Sequence, residues 1–269
     1  MPKLKKENDS TKPPPQGKGG VQSVARALAI LEFFNERRPQ LAMSEITNLS
    51  GLSRGTTYRF CRTLMSLGYL EEVGPSEFRL GIRCISLAQA ALGSHEIIQI
   101  AMPYLDALRN QVGESVNMAI LDDTDIVYVV RLLNDDLVTM RLSVGSRLPA
   151  YSTSLGRAIL AFLPEKESQA ILDRSDIRAI TSATLIHRTD IETALKHIRK
   201  EGYAYNGQGV AMGVHGIAAP VLGANGRPLA AINLSIARPL TEREVTRLAS
   251  HIMSTAMQIA ERGRELHAK

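Results

Sequence analysis

Residues 41–80 read LAMSEITNLSGLSRGTTYRFCRTLMSLGYLEEVGPSEFRL. Two short helical patterns are separated by a break and followed by two extended runs. The first helix is predicted from Ser44, as its N-cap, to Leu49, where Asn48, Ser50 and Gly51 break it. The second starts at Ser53 and runs to Leu67. Thr57, Cys61 and Leu64 share one face of it, widened by Phe60 and Leu67, and Gly68 stands where a helix closes. Tyr69–Val73 and Glu77–Leu80 are predicted strands joined by a Gly74-Pro75-Ser76 turn. Helix, turn, helix and hairpin make a winged-helix pattern, and its second helix has the dimensions to enter a major groove about 12 Å wide.

On that helix Ser53, Arg54, Thr56 and Arg59 lie near the N-terminal end or off the core face. Arg54 and Arg59 reach guanine edges or phosphates, Ser53 and Thr56 offer hydroxyls, and the helix N-terminus itself favours a phosphate. Arg62, a turn further on, suits the DNA backbone. Tyr58 either touches a phosphate or packs against the wing, and Ser76 and Arg79 are the wing's candidates for minor-groove or phosphate contact. A helical protein-binding module with exposed arginines is the competing interpretation. It predicts binding insensitive to salt, whereas phosphate-driven binding weakens steeply as salt rises.

Upstream, Val24, Leu28, Leu31 and Phe34 recur at i, i+4, i+7 and i+10, predicting a helix over 21–38 with Ser23 as N-cap and Pro39 as its stop. Residues 1–20, rich in Lys, Pro and Gly, read as a flexible basic arm and not as a secretory signal. The positive excess is confined to this front part. Residues 1–83 hold 13 Lys+Arg against 8 Asp+Glu, while residues 84–269 hold 19 of each. A local positive excess attracts polyanions.

The chain is 269 residues long, 44% hydrophobic, with a formal net charge of +5, which suits one or two packed domains and excludes wholesale disorder. Cys61 and Cys84, the only cysteines, exclude a disulfide scaffold. No apolar run is long enough to span a bilayer, and a cytoplasmic location is expected. The division expected is a basic arm at 1–20, a winged helix-turn-helix domain at 21–83, a linker helix at 84–96 and a second domain at 97–267.

In that second domain a helix running to Val112 (Ile98, Met102, Leu105 and Leu108 on one face) is closed by Gly113. Strands follow at Val116–Leu121, Ile126–Leu133 and Leu137–Val144. Helices are predicted at Ser154–Leu163 and Glu165–Leu172, then one capped by Thr189 or Asp190 and ending at Gly202. Strands Tyr203–Asn206, Gly216–Leu222 and Pro228–Ser235 precede a last helix from Glu242 to His267, capped by Thr241. Antiparallel strands interrupted by helices give an α+β class, with helices on a central sheet.

Catalytic patterns are absent: there is no GxSxG, HExxH or P-loop sequence, and the six histidines show no ligand spacing, most reading as surface residues. Neither a metal nor another cofactor is expected. Ser152, Thr153 and Ser154 read as a helix N-cap cluster rather than a nucleophile. Such a cluster can also hold an anion, because the first N–H groups of the helix opened by Ser154-Leu155-Gly156 lack intrahelical partners. Asn233 and Ser235, two apart, share one sheet face. Arg141 either meets a carboxylate or faces solvent.

The run SVARALAILEFF with residues 41–81, then LPAYSTSLGRAILAFLP, KHIRKEGYAYN and GVHGIAAPVLGANGRPLAAINLS, resembles the IclR family of bacterial transcriptional regulators from about residue 21 to 266. SVGSRLPAYSTSLGRAILAFLP is most similar to the subgroup that regulates aromatic-acid catabolism through the β-ketoadipate route. The resemblance implies a GAF-like α/β sandwich that binds a small organic acid. Its pocket would include the backbone at Ser154 and Leu155 with Asn206, Val214, Gly216, Asn233 and Ser235. Gly216 would leave room for a ring-bearing ligand. Two departures stand out: Gly55 where the family usually has Ser, and Gln208-Gly209 where an acidic residue commonly follows the Gln. The function expected is a ligand-responsive DNA-binding regulator, with a duplex operator, a small acid and a second copy of the chain (dimer or tetramer) as partners. RNA polymerase is a further candidate partner. A small-acid-processing enzyme with an accessory DNA-binding domain is the alternative.

Overall fold

The computed structural model describes residues 20–36, 38–134 and 142–267. The chain divides between Ala91 and Leu92 into two compact units. In the front unit α1 (Gln22–Glu32) precedes β1 (Gln40–Ala42), α2 (Met43–Ser50), α3 (Arg54–Ser66), β2 (Leu70–Gly74) and β3 (Glu77–Leu80), and α4 (Arg83–Ser94) follows. The strands form a small antiparallel sheet in the order β1-β3-β2. Ile30, Phe33, Phe34, Leu41, Ile46, Cys61, Leu64, Leu70 and Phe78 make its core. α2 and α3 end as expected: Gly51 and Gly68 take positive φ, 64° and 78°, the left-handed conformation that closes a helix at least cost in glycine.

Three local expectations fail. α1 stops at Glu32, six residues before its predicted end at Arg38, and its N-cap position is Val21, not Ser23. Because the chain turns there, burial collects at Ile30, Phe33 and Phe34, and Val24 and Leu28 are 55% and 54% exposed. The cap of α2 is not Ser44: the helix begins at Met43, and the Glu45 carboxylate accepts the Ala42 N–H at 2.8 Å. β1 was not expected at all, since three residues are too few for alternation to show; its register with β3 pairs Leu41 with Phe78.

The rear unit follows α5 (Glu96–Val112) with β4 (Ser115–Asp122), β5 (Asp125–Leu132), β6 (Arg147–Pro149), a 3-10 turn (Ala150–Ser152), α6 (Ser154–Phe162), α7 (Glu165–Arg174), α8 (Arg188–Glu201), β7 (Ala204–Gly207), β8 (His215–Leu222), β9 (Pro228–Ile236) and α9 (Glu242–His267). The strands form one antiparallel sheet in the order β6-β5-β4-β9-β8-β7. Strand alternation sorts its side chains between two cores. Val116, Met118, Ile217, Ala219, Ile232 and Leu234 pack with Leu105, Leu108, Leu248 and Ile252 of α5 and α9. Ala119, Ala218 and Ala231 turn to the other face, with Leu155, Ile159, Ile191 and Leu195 of α6 and α8. Here too there are corrections. Met102 is 38% exposed, and Ala101 takes the buried place on α5. His187, without a side-chain bond, precedes α8, so Thr189 and Asp190 lie inside it. Most of the expected strand 137–144 lies outside the described residues, and 142–144 are not strand. Thr241 does cap α9: its hydroxyl accepts the Glu244 N–H at 3.3 Å, and the Glu244 carboxylate accepts the Thr241 N–H at 3.0 Å. Among the described residues no helix is long and apolar enough to cross a membrane.

α6 is seated against the chain that precedes it. A Cβ at Gly156 would lie 2.2 Å from the Ala150 carbonyl oxygen and 2.4 Å from its Cα, both backbone atoms. Gly156→Ala is therefore expected to destabilise the rear unit by about 1–3 kcal/mol, the range for overpacking, while leaving the front unit folded. Calorimetry of the variant checks this; an unchanged rear transition would show that the contact yields freely.

Candidate functional site

α3 carries a buried face and an outward face. Thr57, Cys61 and Leu64 point into the core. At helical spacing Gly55, Arg59 and Arg62 fall opposite them and are exposed, with Arg54 and Tyr58 on the flank, also exposed. Ser53 is the N-cap. Its hydroxyl accepts the Thr56 N–H at 3.3 Å and lies 2.9 Å from the Thr56 hydroxyl, so both groups already have partners. A Cβ at Gly55 would meet nothing within 4 Å. Packing therefore does not demand glycine there, and its effect is to leave the outward face flat.

An open groove of about 410 Å³ runs between the start of α2, the start of α3 and the wing turn, lined by Ser44, Asn48, Arg54, Ser76 and Glu77 among others. The Met43 N–H donates to the Ser76 carbonyl at 2.8 Å, tying the wing to α2. Arg79 already has a partner within the wing: its Nε and Nη2 lie 2.9 and 2.8 Å from one Glu71 oxygen. This bond, first among the causes, holds the Glu71 carboxyl below its usual range. The positive charge on this face is thereby concentrated on α3 rather than on the wing.

In the rear unit a cavity of about 50 Å³ opens on the α6 side of the sheet. The strand register builds its floor. Ser115 pairs with Ser235, Ser235 with Gly216 and Gly216 with Asn206, a row across β4, β9, β8 and β7; Asn117 pairs with Asn233 one step along. α6 enters over this row. Thr153 caps it, accepting the Gly156 N–H at 2.8 Å, and the Asn233 amide donates to the Ser154 hydroxyl at 3.3 Å. A Cβ on Gly216 would lie 2.5 Å from the Ser154 Oγ, so this glycine makes room for the helix start, and it also lines the cavity. Gly209 acts likewise: its Cβ would lie 2.4 Å from Asn206 Oδ1, which accounts for glycine in the Gln208-Gly209 departure.

The structure thus brings Ser154, Asn206, Val214, Gly216, Asn233 and Ser235 around one cavity. Leu155 buries its side chain in the adjoining core and adds only backbone to the helix start. Arg141 lies outside the described residues. Sequence reasoning missed Ser115, Asn117, Tyr128 and Arg131 on the cavity wall. Arg131 sits 5.2 Å from the Tyr128 ring centroid, and burial pushes the Tyr128 phenol up to about 12. It also missed Arg157. This side chain is 4% exposed, donates to the Tyr151 carbonyl at 2.7 Å and reaches Asn206 Oδ1 at 3.5 Å. Burial lowers its pKa to about 10; its Nη2 has no partner, and no carboxylate among the described residues pairs with it. His215 is buried too, bonded through Nδ1 to the Tyr205 hydroxyl at 2.7 Å, so it is not a surface histidine. Among the described residues no three His, Cys, Asp or Glu side chains cluster to hold a metal.

A winged helix-turn-helix with arginines on its outward face, followed by a sandwich enclosing a polar cavity, defines a two-part transcriptional regulator. Residues 23–74 match the IclR helix-turn-helix domain and residues 89–261 the family described as bacterial transcriptional regulator IclR C-terminal. The chain belongs to the IclR family and is a DNA-binding regulator, not an enzyme. It is 36% identical over 216 residues to the Pca regulon regulatory protein of Pseudomonas putida (80% of this chain, 74% of that one) and 30% identical over 246 residues to the transcriptional repressor IclR of Escherichia coli (90% and 89%). The crystal structure of an IclR homolog complexed with 4-hydroxybenzoate, from Microbacterium hydrocarbonoxydans, shares the fold with a TM-score of 0.77 at 22% identity, covering 90% of this chain and 99% of that one.

Arg54→Ala and Arg59→Ala are each expected to weaken binding to a selected operator duplex by about 1–3 kcal/mol and to make log Kd less dependent on log salt. Gel shifts across a salt series measure both. Unchanged affinity in both variants would remove α3 as the reading helix.

Proposed function

We propose that this regulator senses a small organic carboxylate in the rear-unit cavity, and that Ser53, Arg54, Thr56, Tyr58, Arg59 and Arg62 of α3, with Ser76 and Arg79 of the wing, face the duplex. The observation that carries the carboxylate assignment is Arg157. A cation buried without a counter-ion is costly, and it reaches the cavity wall through Asn206. It stands in the first turn of α6, where unpaired N–H groups already favour negative charge. An anion in the cavity would offset both. Arg131 on the wall adds a second cation. The likeness to a Pca regulon regulator and to a 4-hydroxybenzoate complex supports an aromatic acid.

The regulator acts as a homodimer or higher oligomer in the cytoplasm, since symmetric half-sites call for at least two copies. Val24 and Leu28 of α1 and Ile85 and Leu87 of α4, all more than half exposed, supply apolar surface for that association.

A thermal-shift screen of aromatic and aliphatic carboxylates is expected to give hits, because a ligand that binds only the folded state stabilises it by mass action. The same hits should alter operator affinity in a gel shift. Stabilisation with no change in DNA affinity would reduce the cavity to a bystander.

Arg157→Met is expected to fold with equal or higher Tm, since replacing an uncompensated buried charge with an apolar chain of similar size removes a desolvation cost. It should bind the hit acid about tenfold more weakly, with Arg157→Lys intermediate. Wild-type affinity in Arg157→Met would detach this residue from anion binding.

A further inference from the structure

We infer that Gly55 is a specificity-determining residue of α3, which sets bare backbone against a thymine methyl in the major groove. Neither packing nor backbone geometry accounts for glycine there. It is the second residue of a 13-residue α-helix, its φ is not positive, and a Cβ would meet nothing within 4 Å. Glycine is among the poorest helix formers and alanine the best, so stability alone favours a side chain. A glycine without a local need for itself is the residue that lets another molecule come close to the backbone.

Its place on α3 makes that molecule the duplex. Gly55, Arg59, Arg62 and Ser66 recur at i, i+4, i+7 and i+11, a line opposite the buried Thr57, Cys61 and Leu64, and all four are exposed. Gly55 is the N-terminal member of that line, and the N-terminal residues of a recognition helix are those that meet base edges. Peptide dipoles in a helix run along its axis, so the backbone N–H groups do not point outward. The hydroxyls of Ser53 and Thr56 lie 2.9 Å apart and engage each other. The surface turned outward at Gly55 is therefore its methylene. It neither donates nor accepts, and it leaves open the space that a Cβ would fill. The C5-methyl of thymine is the apolar group that the major groove displays. A methyl on the base thus fits where the protein lacks one. This rests on the assignment of α3 to the duplex above and adds to it the identity of the base facing Gly55.

The test compares the wild-type full chain with Gly55→Ala on a duplex that the wild type selects from a random-sequence library. Each thymine of that duplex is then replaced singly by deoxyuridine, which removes only the methyl. Gly55→Ala is expected to keep or raise Tm, yet to bind the selected duplex about tenfold more weakly than the wild type. At one position in each half-site, uracil should weaken wild-type binding and bring Gly55→Ala to within about threefold of the wild type on that same duplex. Equal affinity of the two proteins for the selected duplex overturns the inference, as does a loss that no uracil relieves. A lowered Tm in Gly55→Ala overturns its premise, that packing leaves the position open. Arg54→Ala and Arg59→Ala on the same duplex separate the two assignments. If they weaken binding while Gly55→Ala does not, α3 still reads the duplex and only the thymine contact falls. If none of the three changes affinity, or no duplex is selected, both fall.

Discussion

The rear unit depends on one close approach, the first turn of α6 set down on β8 at Gly216. Any side chain at that position would collide with Ser154, whose Oγ lies 2.5 Å from where a Cβ would stand. The rest of the contact is built from small residues for the same reason. Ala119, Ala218 and Ala231 present methyl groups from three neighbouring strands, Ala158 and Ala161 meet them from the helix, and Gly156 lets α6 sit against Ala150. Dense packing between small groups brings two backbones together. It brings the unpaired N–H groups of a helix start over a sheet face that would otherwise be sealed by apolar side chains. The polar row follows from this: Asn233 can bond Ser154 only because the helix is near enough.

Charge is arranged by the same logic in both units, with cations placed where their usual partners are kept away. Several arginines among the described residues pair with carboxylates at the surface, among them Arg147 with Asp122, Arg188 with Asp173 and Arg227 with Glu167. Such exposed pairs contribute roughly 0–1 kcal/mol each. Arg79 joins them through Glu71, which offsets that arginine's charge. Arg54, Arg59 and Arg62 stay exposed on α3. Arg157 is the inverse case, held inside without an acid. An arrangement that served stability alone would have paired it or replaced it with an apolar residue.

The parts of this structure that were legible in the sequence are those decided by neighbours along the chain. Gly51, Gly68, Gly113 and Gly202 announce helix ends, and all four take positive φ. The burial of Thr57, Cys61 and Leu64 follows from three- and four-residue spacing. The alternation that places Asn233 and Ser235 together is equally local. What failed depends on distant partners. Val24 and Leu28 have the spacing of a core face, but whether a helix face is buried is settled by what packs on it, and α1 is covered only near its end. Ser115 and Asn117 join the cavity through a register with β9 formed across more than a hundred residues, which no local pattern encodes. Arg157 looks like an ordinary position of an amphipathic helix until α6 is seen to be covered on all sides.

How a filled cavity alters DNA binding is a question of free energy before it is one of route. A ligand shifts an equilibrium only by the difference in its affinity for the two states, and the couplings of regulatory proteins are typically about 1–3 kcal/mol. Satisfying one buried acceptor is worth about the same, about 1–3 kcal/mol. A change of state that made or broke one such contact to a bound ligand would therefore suffice, without wholesale refolding of the sandwich. The cavity wall favours such a small, discrete change. Its loop between β7 and β8 is clasped by the hydroxyls of Thr181 and Thr184, which donate to the carbonyls of Gln208 and Gly209 at 2.7 and 2.8 Å. Gly209 lies against Asn206, and Asn206 is held in turn by Ser152 and Arg157. A wall fixed at so many points has few alternative positions. Packed elements of this kind switch between discrete arrangements rather than deform continuously, so a modest difference in ligand affinity can be transmitted as a change of state instead of being absorbed locally.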